Sequence, residues 1–243
     1  VYKESDYIIQ KDYLPESIPF KGRSFPYILN ITTGCPWNKL IRKSLIDEYQ
    51  LQFMPLHRSN DVYFIFMALA LAEKITVVQE VFVNYRQSGS SLQANNVKSP
   101  WDWYEALKAL KLKFEELQIY EELRSSFRNL AFGVGIYNLC SLKSGEAFCN
   151  VYERMKQEFF EEFDLTDFKE EECYSYNSKK YEIYRNMMQC TAGEYLFLEV
   201  QKLKQEKSYW AARAKNAEKE NKNKNPKERL SSLVRKAMRK FGR

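Results

Sequence analysis

Histidine is almost missing from this chain. His57 is the only one, so a histidine-rich metal site is excluded. Glycine (8 residues) and proline (7) are scarce in 243 residues, which favours long helices and few tight turns. The five cysteines, Cys35, Cys140, Cys149, Cys173 and Cys190, are odd in number, and no two have the C-x-x-C spacing of a zinc or redox motif. Unpaired, mostly structural thiols in a reducing cytoplasm are the expectation. No signal-peptide pattern opens the sequence. The longest apolar run, Val62 to Ala72, is roughly half of the ~20 residues needed to cross a bilayer. A soluble chain, or one peripheral on a membrane, is expected.

What is present points to a folded body. With 44% hydrophobic and 15% aromatic residues, the chain can build one sizeable core, or a core with a smaller appended unit. The formal net charge of +6 is concentrated at one end. From Lys227 to Arg243 there are seven basic residues against one acid, Glu228, which equals the whole excess. Residues 1–226 therefore sum to zero and carry no basic–aromatic stripe, so no nucleic-acid partner is expected.

Along the chain, four prolines (Pro15, Pro19, Pro26, Pro36) punctuate an irregular opening. The three- and four-residue spacing of Leu40, Ile41, Leu45 and Ile46 predicts a helix after Pro36 that ends near Tyr49. A short extended piece, Leu51 to Met54, stops at Pro55. Asn60 is a good N-cap for a helix over Asp61 to Glu73, apolar on every face and so expected to be deeply buried. Ile75 to Arg86 is rich in valine and aromatic residues and predicts one or two strands. From Trp101 to about Asn186 the pattern is helical. The acidic run Glu170 to Glu172 reads as solvated loop. A long polar helix is predicted over residues 193 to 221, with Leu196, Leu203, Trp210 and Ala217 seven residues apart, a weak coiled-coil pattern that allows self-association.

Chemistry concentrates between Pro36 and Ser91. Trp37, Asn38 and Lys39 follow Pro36, and Arg42 and Phe53 come next. The pair Asn60-Asp61 stands at the mouth of the buried helix, and Tyr85-Arg86-Gln87-Ser88-Gly89 closes the predicted strand. In this order and spacing, residues 30–92 resemble the second half of the family-two, inverting glycosyltransferases of the GT-A fold. The resemblance implies an α/β fold, here an incomplete GT-A-like unit over residues 1–96 lacking its nucleotide-binding half. A mainly helical accessory region (97–192), a long polar helix with a hinge (193–225) and a basic helix (226–243) would follow.

The resemblance also implies transfer of a sugar from a nucleotide-sugar donor to a glycan or lipid-linked acceptor with inversion. Asp61 matches the general base that takes the acceptor hydroxyl's proton, and a first-turn carboxylate is kept ionised by the helix dipole. Trp37, Asn38, Lys39 and Asn60 match acceptor-binding positions. Tyr85 and Arg86 fall near the donor diphosphate, although Ser88 replaces a histidine often found there. The family's divalent metal, Mn or Mg, is held by an Asp-x-Asp that this sequence does not contain. Because the chain begins at Val1, the donor half is expected to be encoded upstream, and the fragment alone is expected to be inactive.

Plainer readings of the same residues stay open. Asp61 also suits a first-turn acid that supports a helix N-terminus, Trp37 a partly buried anchor, and Lys39 with Arg42 a solvated helix face. The whole chain also admits a non-catalytic, membrane-associated scaffold or binding module. The tail carries the clearest pattern. Leu230, Leu233, Val234, Ala237, Met238 and Phe241 form one stripe, with Arg229, Arg235, Lys236, Arg239, Lys240 and Arg243 around it. Such a helix suits an anionic membrane surface, so a place on the inner face of the cytoplasmic membrane is expected.

Overall fold

A computed structural model of the chain describes residues 14–78, 80, 82–83, 99–173 and 179–223. Among these the regular structure is helical: α1 (Lys43–Tyr49), α2 (Asn60–Leu71), α3 (Asp102–Glu116), α4 (Tyr120–Cys140), α5 (Gly145–Arg154), α6 (Phe160–Glu162), α7 (Lys179–Gln189) and α8 (Ala192–Asn223). The expectation of an α/β unit is overturned, because the described residues contain no strand or sheet. Among the described residues the valine-rich stretch that starts at Ile75 meets one pairing partner. Phe20 and Ile75 form a single antiparallel bridge, with Phe20 N–H donating to Ile75 O at 3.0 Å and Ile75 N–H to Phe20 O at 2.7 Å. Beyond that pair Val78, Phe82 and Val83 are exposed. A β-prone sequence becomes a strand only where a neighbour supplies pairing and burial, and none of the described residues does so here.

The chain divides into two compact units, Val1–Ala192 and Gly193–Arg243. In the first, α2 packs on α3, α3 on α4, and α4 on α5. As its composition requires, α2 buries nearly every face: Val62, Phe64, Ile65, Phe66, Met67, Ala68, Ala70 and Leu71 are all inside. The core of this unit is aromatic. Trp103, Phe114, Phe127, Phe159 and Phe163 are fully buried, with Trp103 edge-on to Phe159 at 5.5 Å and Tyr104 to Phe163 at 5.3 Å. Such edge-to-face pairs add to the stabilisation from area burial.

Between α5 and α6 the helix widens into a π turn, Met155–Phe159. It lies against Gly135 of α4, where a Cβ would stand 2.8 Å from Met155 Cε and 3.0 Å from Phe159 Cζ. Glycine permits this close approach. The acidic run forms a short 3₁₀ turn, Glu170–Glu172. Glu170 and Glu171 are exposed, but Glu172 bonds the buried Arg128 at 2.8 Å, and Asp167 holds the same guanidinium at 2.7 Å.

The irregular opening is fastened to the helices rather than draped over them. Leu29 N–H donates to Ser126 Oγ at 2.9 Å, and Asn30 Nδ2 donates to Ser126 O at 3.1 Å. Ile28, Leu29 and Ile31 are buried. Leaving the core, the chain runs through Thr32 to Lys39 toward the mouth of α2. Gly34 lies there with its would-be Cβ 3.3 Å from Phe66 and 3.7 Å from Val62.

In the second unit, α8 is a single long helix. Leu196, Phe197, Val200, Leu203 and Trp210 are exposed along it. No helix of the described residues is long and apolar enough to cross a membrane. The basic tail and the Tyr85-Arg86 pair lie outside the described residues.

Candidate functional site

The predicted helix after Pro36 starts later than its spacing suggested. Pro36 O accepts from Lys39 N–H in a turn at 3.1 Å, and α1 begins only at Lys43. The physical reason is the Lys39 side chain, which folds back onto its own loop. Its ammonium donates to Thr33 O at 2.7 Å, Cys35 O at 2.8 Å and Asn38 Oδ1 at 2.8 Å. An ammonium has three protons, and all three are spent. Lys39 therefore ties the 33–39 loop into a closed curl. It is not on a solvated helix face, and in this arrangement it has no proton left for a ligand.

The curl sits beside the first turn of α2. That helix begins at Asn60, one residue earlier than predicted, after Ser59 in the left-handed region (φ 55°). Asn60 is exposed and its carbonyl accepts from Met54 N–H at 3.1 Å. The segment carrying Phe53 thus runs past the helix mouth, where Phe53 stacks on Phe64 with ring centroids 4.4 Å apart.

Asp61 is the second residue of α2 and is half-buried. Burial pushes its carboxyl above the ordinary range. Hydrogen bonds from the backbone N–H groups of Asp61 and Val62, and the charge of Lys39, pull the other way. A carboxylate made more basic by its surroundings is a better proton acceptor than an ordinary one.

Lys39 feels the converse. Burial pulls its ammonium down to about 8, against the opposing influence of Cys35 and Asp61. This value lies below the ordinary 10.5. The folded chain therefore releases this proton before the unfolded chain does, and the cost of the buried charge is relieved as pH rises through that window. Relative to Lys39→Met, the wild type is expected to gain on the order of 2 kcal/mol in urea unfolding between about pH 8 and about pH 10. A difference that stays flat with pH contradicts a buried ammonium.

The structure brings Asn38, Lys39 and Asp61 together, with Asn60 next to Asp61 in the chain. Trp37, 36% exposed, extends from the same curl. Sequence reasoning named Asn38 but missed Thr32 and Thr33 beside it. Thr32 Oγ1, Thr33 Oγ1 and Asn38 Nδ2 are buried with no hydrogen-bond partner. The adjacent hydroxyls of Thr32-Thr33 just before Gly34-Cys35-Pro36 were the available signal. Arg58, in the loop before α2, is buried. Its N–H donates to Asp102 Oδ2 at 2.9 Å, at the start of α3, which fixes the approach to α2.

Beside Asp61 the Lys39 ammonium supplies positive charge, which does not favour a divalent metal there. Nor do the described residues contain a group of three or more His, Cys, Asp or Glu placed to hold one. A separate pocket of about 330 Å³ is lined by Pro100, Trp101, Ser144, Glu146, Asn150 and Val151 and includes none of the motif residues. None of the five cysteines forms a disulfide. Compared with protein-family models, curated proteins and solved structures, the chain matches none of them.

Proposed function

We propose that this chain carries the acceptor side of a sugar-transferase active site, with Asp61 as the general base. One observation carries the reading: a carboxylate made more basic by burial stands at the mouth of a rigid, buried helix, beside a loop with unsatisfied polar groups. In the proposed reaction an acceptor hydroxyl gives its proton to Asp61 as its oxygen attacks the anomeric carbon of the donor, and the nucleoside diphosphate leaves. Trp37 offers an aromatic face to sugar C–H groups, and Asn38 and Asn60 offer amide groups to hydroxyls. The nucleotide-sugar donor is assigned to a donor-binding half outside this sequence, which has no Asp-x-Asp. A Mn or Mg ion there would neutralise the leaving diphosphate. A transfer assay on Asp61→Asn, made with the donor-binding half present, tests the reading, and unchanged turnover removes Asp61 from the mechanism.

The acceptor is a glycan or a lipid-linked acceptor, and the place of action is the inner face of the cytoplasmic membrane. The basic apolar-striped tail, residues 226–243, supports this by its sequence alone. Each basic residue near anionic headgroups contributes about 1 kcal/mol. The chain is expected to bind anionic vesicles, less so as salt rises, and to lose that binding when residues 227–243 are deleted. Equal binding to neutral vesicles contradicts the electrostatic attachment.

One observation favours a second reading, a non-catalytic binding or scaffold unit. The apolar residues Leu196, Phe197, Leu203 and Trp210 of α8 are exposed, as on a helix that associates with another protein or a second copy. Asp61→Asn separates the two readings, because a scaffold does not depend on that carboxylate.

A further inference from the structure

Beyond Lys202, α8 runs uncovered. Every residue from Leu203 to Ala217 is exposed, Leu203 at 63% and Trp210 at 59%. A helix in water draws most of its stability from packing an apolar face, so this one calls for a partner. Its apolar residues keep one heptad phase. Leu196, Leu203 and Trp210 take position d, and Val200, Lys207 and Ala214 take position a.

The positions beside that seam decide which partner fits. Position g holds Glu199, Glu206 and Arg213, and position e holds Lys204, Ala211 and Glu218. In a parallel two-stranded coil each g residue faces the e residue of the next heptad on the other strand. Against a second copy in register, Glu199 then faces Lys204 and Arg213 faces Glu218, in both directions. Glu206 faces the neutral Ala211, so no like charges meet at e and g. Antiparallel alignments set g against g and bring acids together: Glu199 faces Glu220, or Glu206 faces its own copy. Lys207 meets its own copy at a, a cost that in such coils fixes register and strand number. Within one chain Glu199 lies 3.8 Å from Lys202, and the Arg213 guanidinium rests over Trp210 at 5.4 Å. Both charges stay on the exposed helix surface, within reach of a second strand.

We propose that α8 is a dimerisation helix, which pairs with a second copy of this chain in a parallel, in-register two-stranded coiled coil. The pairing goes beyond the acceptor-site reading and holds for a transferase and a scaffold alike. With the strands parallel, both basic tails, residues 227–243, follow from the same end of the coil. Two attachments to one surface hold far better than one. That consequence rests on the membrane reading above; the dimer does not.

Sedimentation equilibrium of the whole chain, without membranes, tests the dimer. A reversible monomer–dimer equilibrium in the micromolar range is expected, and Leu203→Asp is expected to abolish it. Leu203 is exposed in the single chain, so that substitution removes no burial from its fold. Glu199→Lys and Lys204→Glu each set like charges together, and each is expected to weaken the dimer about tenfold. An equal mixture of the two variants is expected to associate as the wild type does, because each supplies the opposite charge the other lacks. Mixing cannot repair a helix that is merely weakened. Four results overturn the proposal: a chain that stays monomeric to millimolar concentration, a trimer or larger assembly, a single charge variant that dimerises as tightly as wild type, or a mixture no stronger than its parts.

Discussion

With the donor-binding half present, Asp61→Asn is expected to lower sugar-transfer turnover by about 10²-fold or more, the usual scale for a lost acid–base group. The substitution isolates chemistry from shape. Asparagine keeps the outline of aspartate, and its oxygen can still accept from the backbone N–H groups that Asp61 engages at the start of α2. What it cannot do is take a proton. Glycoside binding should therefore survive while the rate falls. Because burial raises the Asp61 carboxyl, the ionised base is lost as pH falls through that raised value, and the acid limb of the wild-type rate profile should disappear in the variant. Near-normal turnover would leave Asp61 as a helix-mouth acid and nothing more.

The second large effect concerns stability and lies at Gly22. Its N–H donates to Ala72 O at 2.8 Å, next to the Phe20–Ile75 bridge. A Cβ there would stand 2.0 Å from Leu69 O, deep inside contact distance of a backbone atom that cannot rotate away. Gly22→Ala must therefore pull the opening segment off the end of α2. A cost of about 3 kcal/mol is expected, the upper range for overpacking, which lowers the melting temperature by roughly 6–12 °C for a domain of this size. The site loop is reached from Gly22 through the buried Ile28 to Ile31 stretch. The variant should therefore also loosen the 33–39 curl, seen as faster amide exchange there. A melting temperature within about 2 °C of wild type would show that the strap does not hold this unit together.

The helices were legible in the sequence where burial imposes one unbroken pattern. The all-round apolar stretch Val62 to Ala72 became α2 within two residues at either end, and the polar stretch from Gly193 became α8. The strands after Ile75 were misread for a reason local pattern cannot reveal. Pairing depends on a distant neighbour, and among the described residues only Phe20 is there. The start of α1 was misplaced because the side chain of Lys39 takes up carbonyl groups of Thr33 and Cys35, a preference no periodicity records. Of the site, the grouping of Asn38, Lys39 and Asp61 was readable from their order. The orientation of the Asn38 amide was not, because it is set by one hydrogen bond between neighbouring side chains.

The central claim is that this chain holds the acceptor side of a transferase site and not the donor side. Calorimetry on the chain tests it most directly, with neutral methyl glycosides in one series and nucleotide sugars in another, each with and without manganese. The account predicts glycoside binding that is independent of manganese and is reduced in Asn38→Asp, with no manganese-dependent affinity for any nucleotide sugar. Tight, manganese-dependent binding of a nucleotide sugar, or glycoside binding indifferent to Asn38, would contradict it.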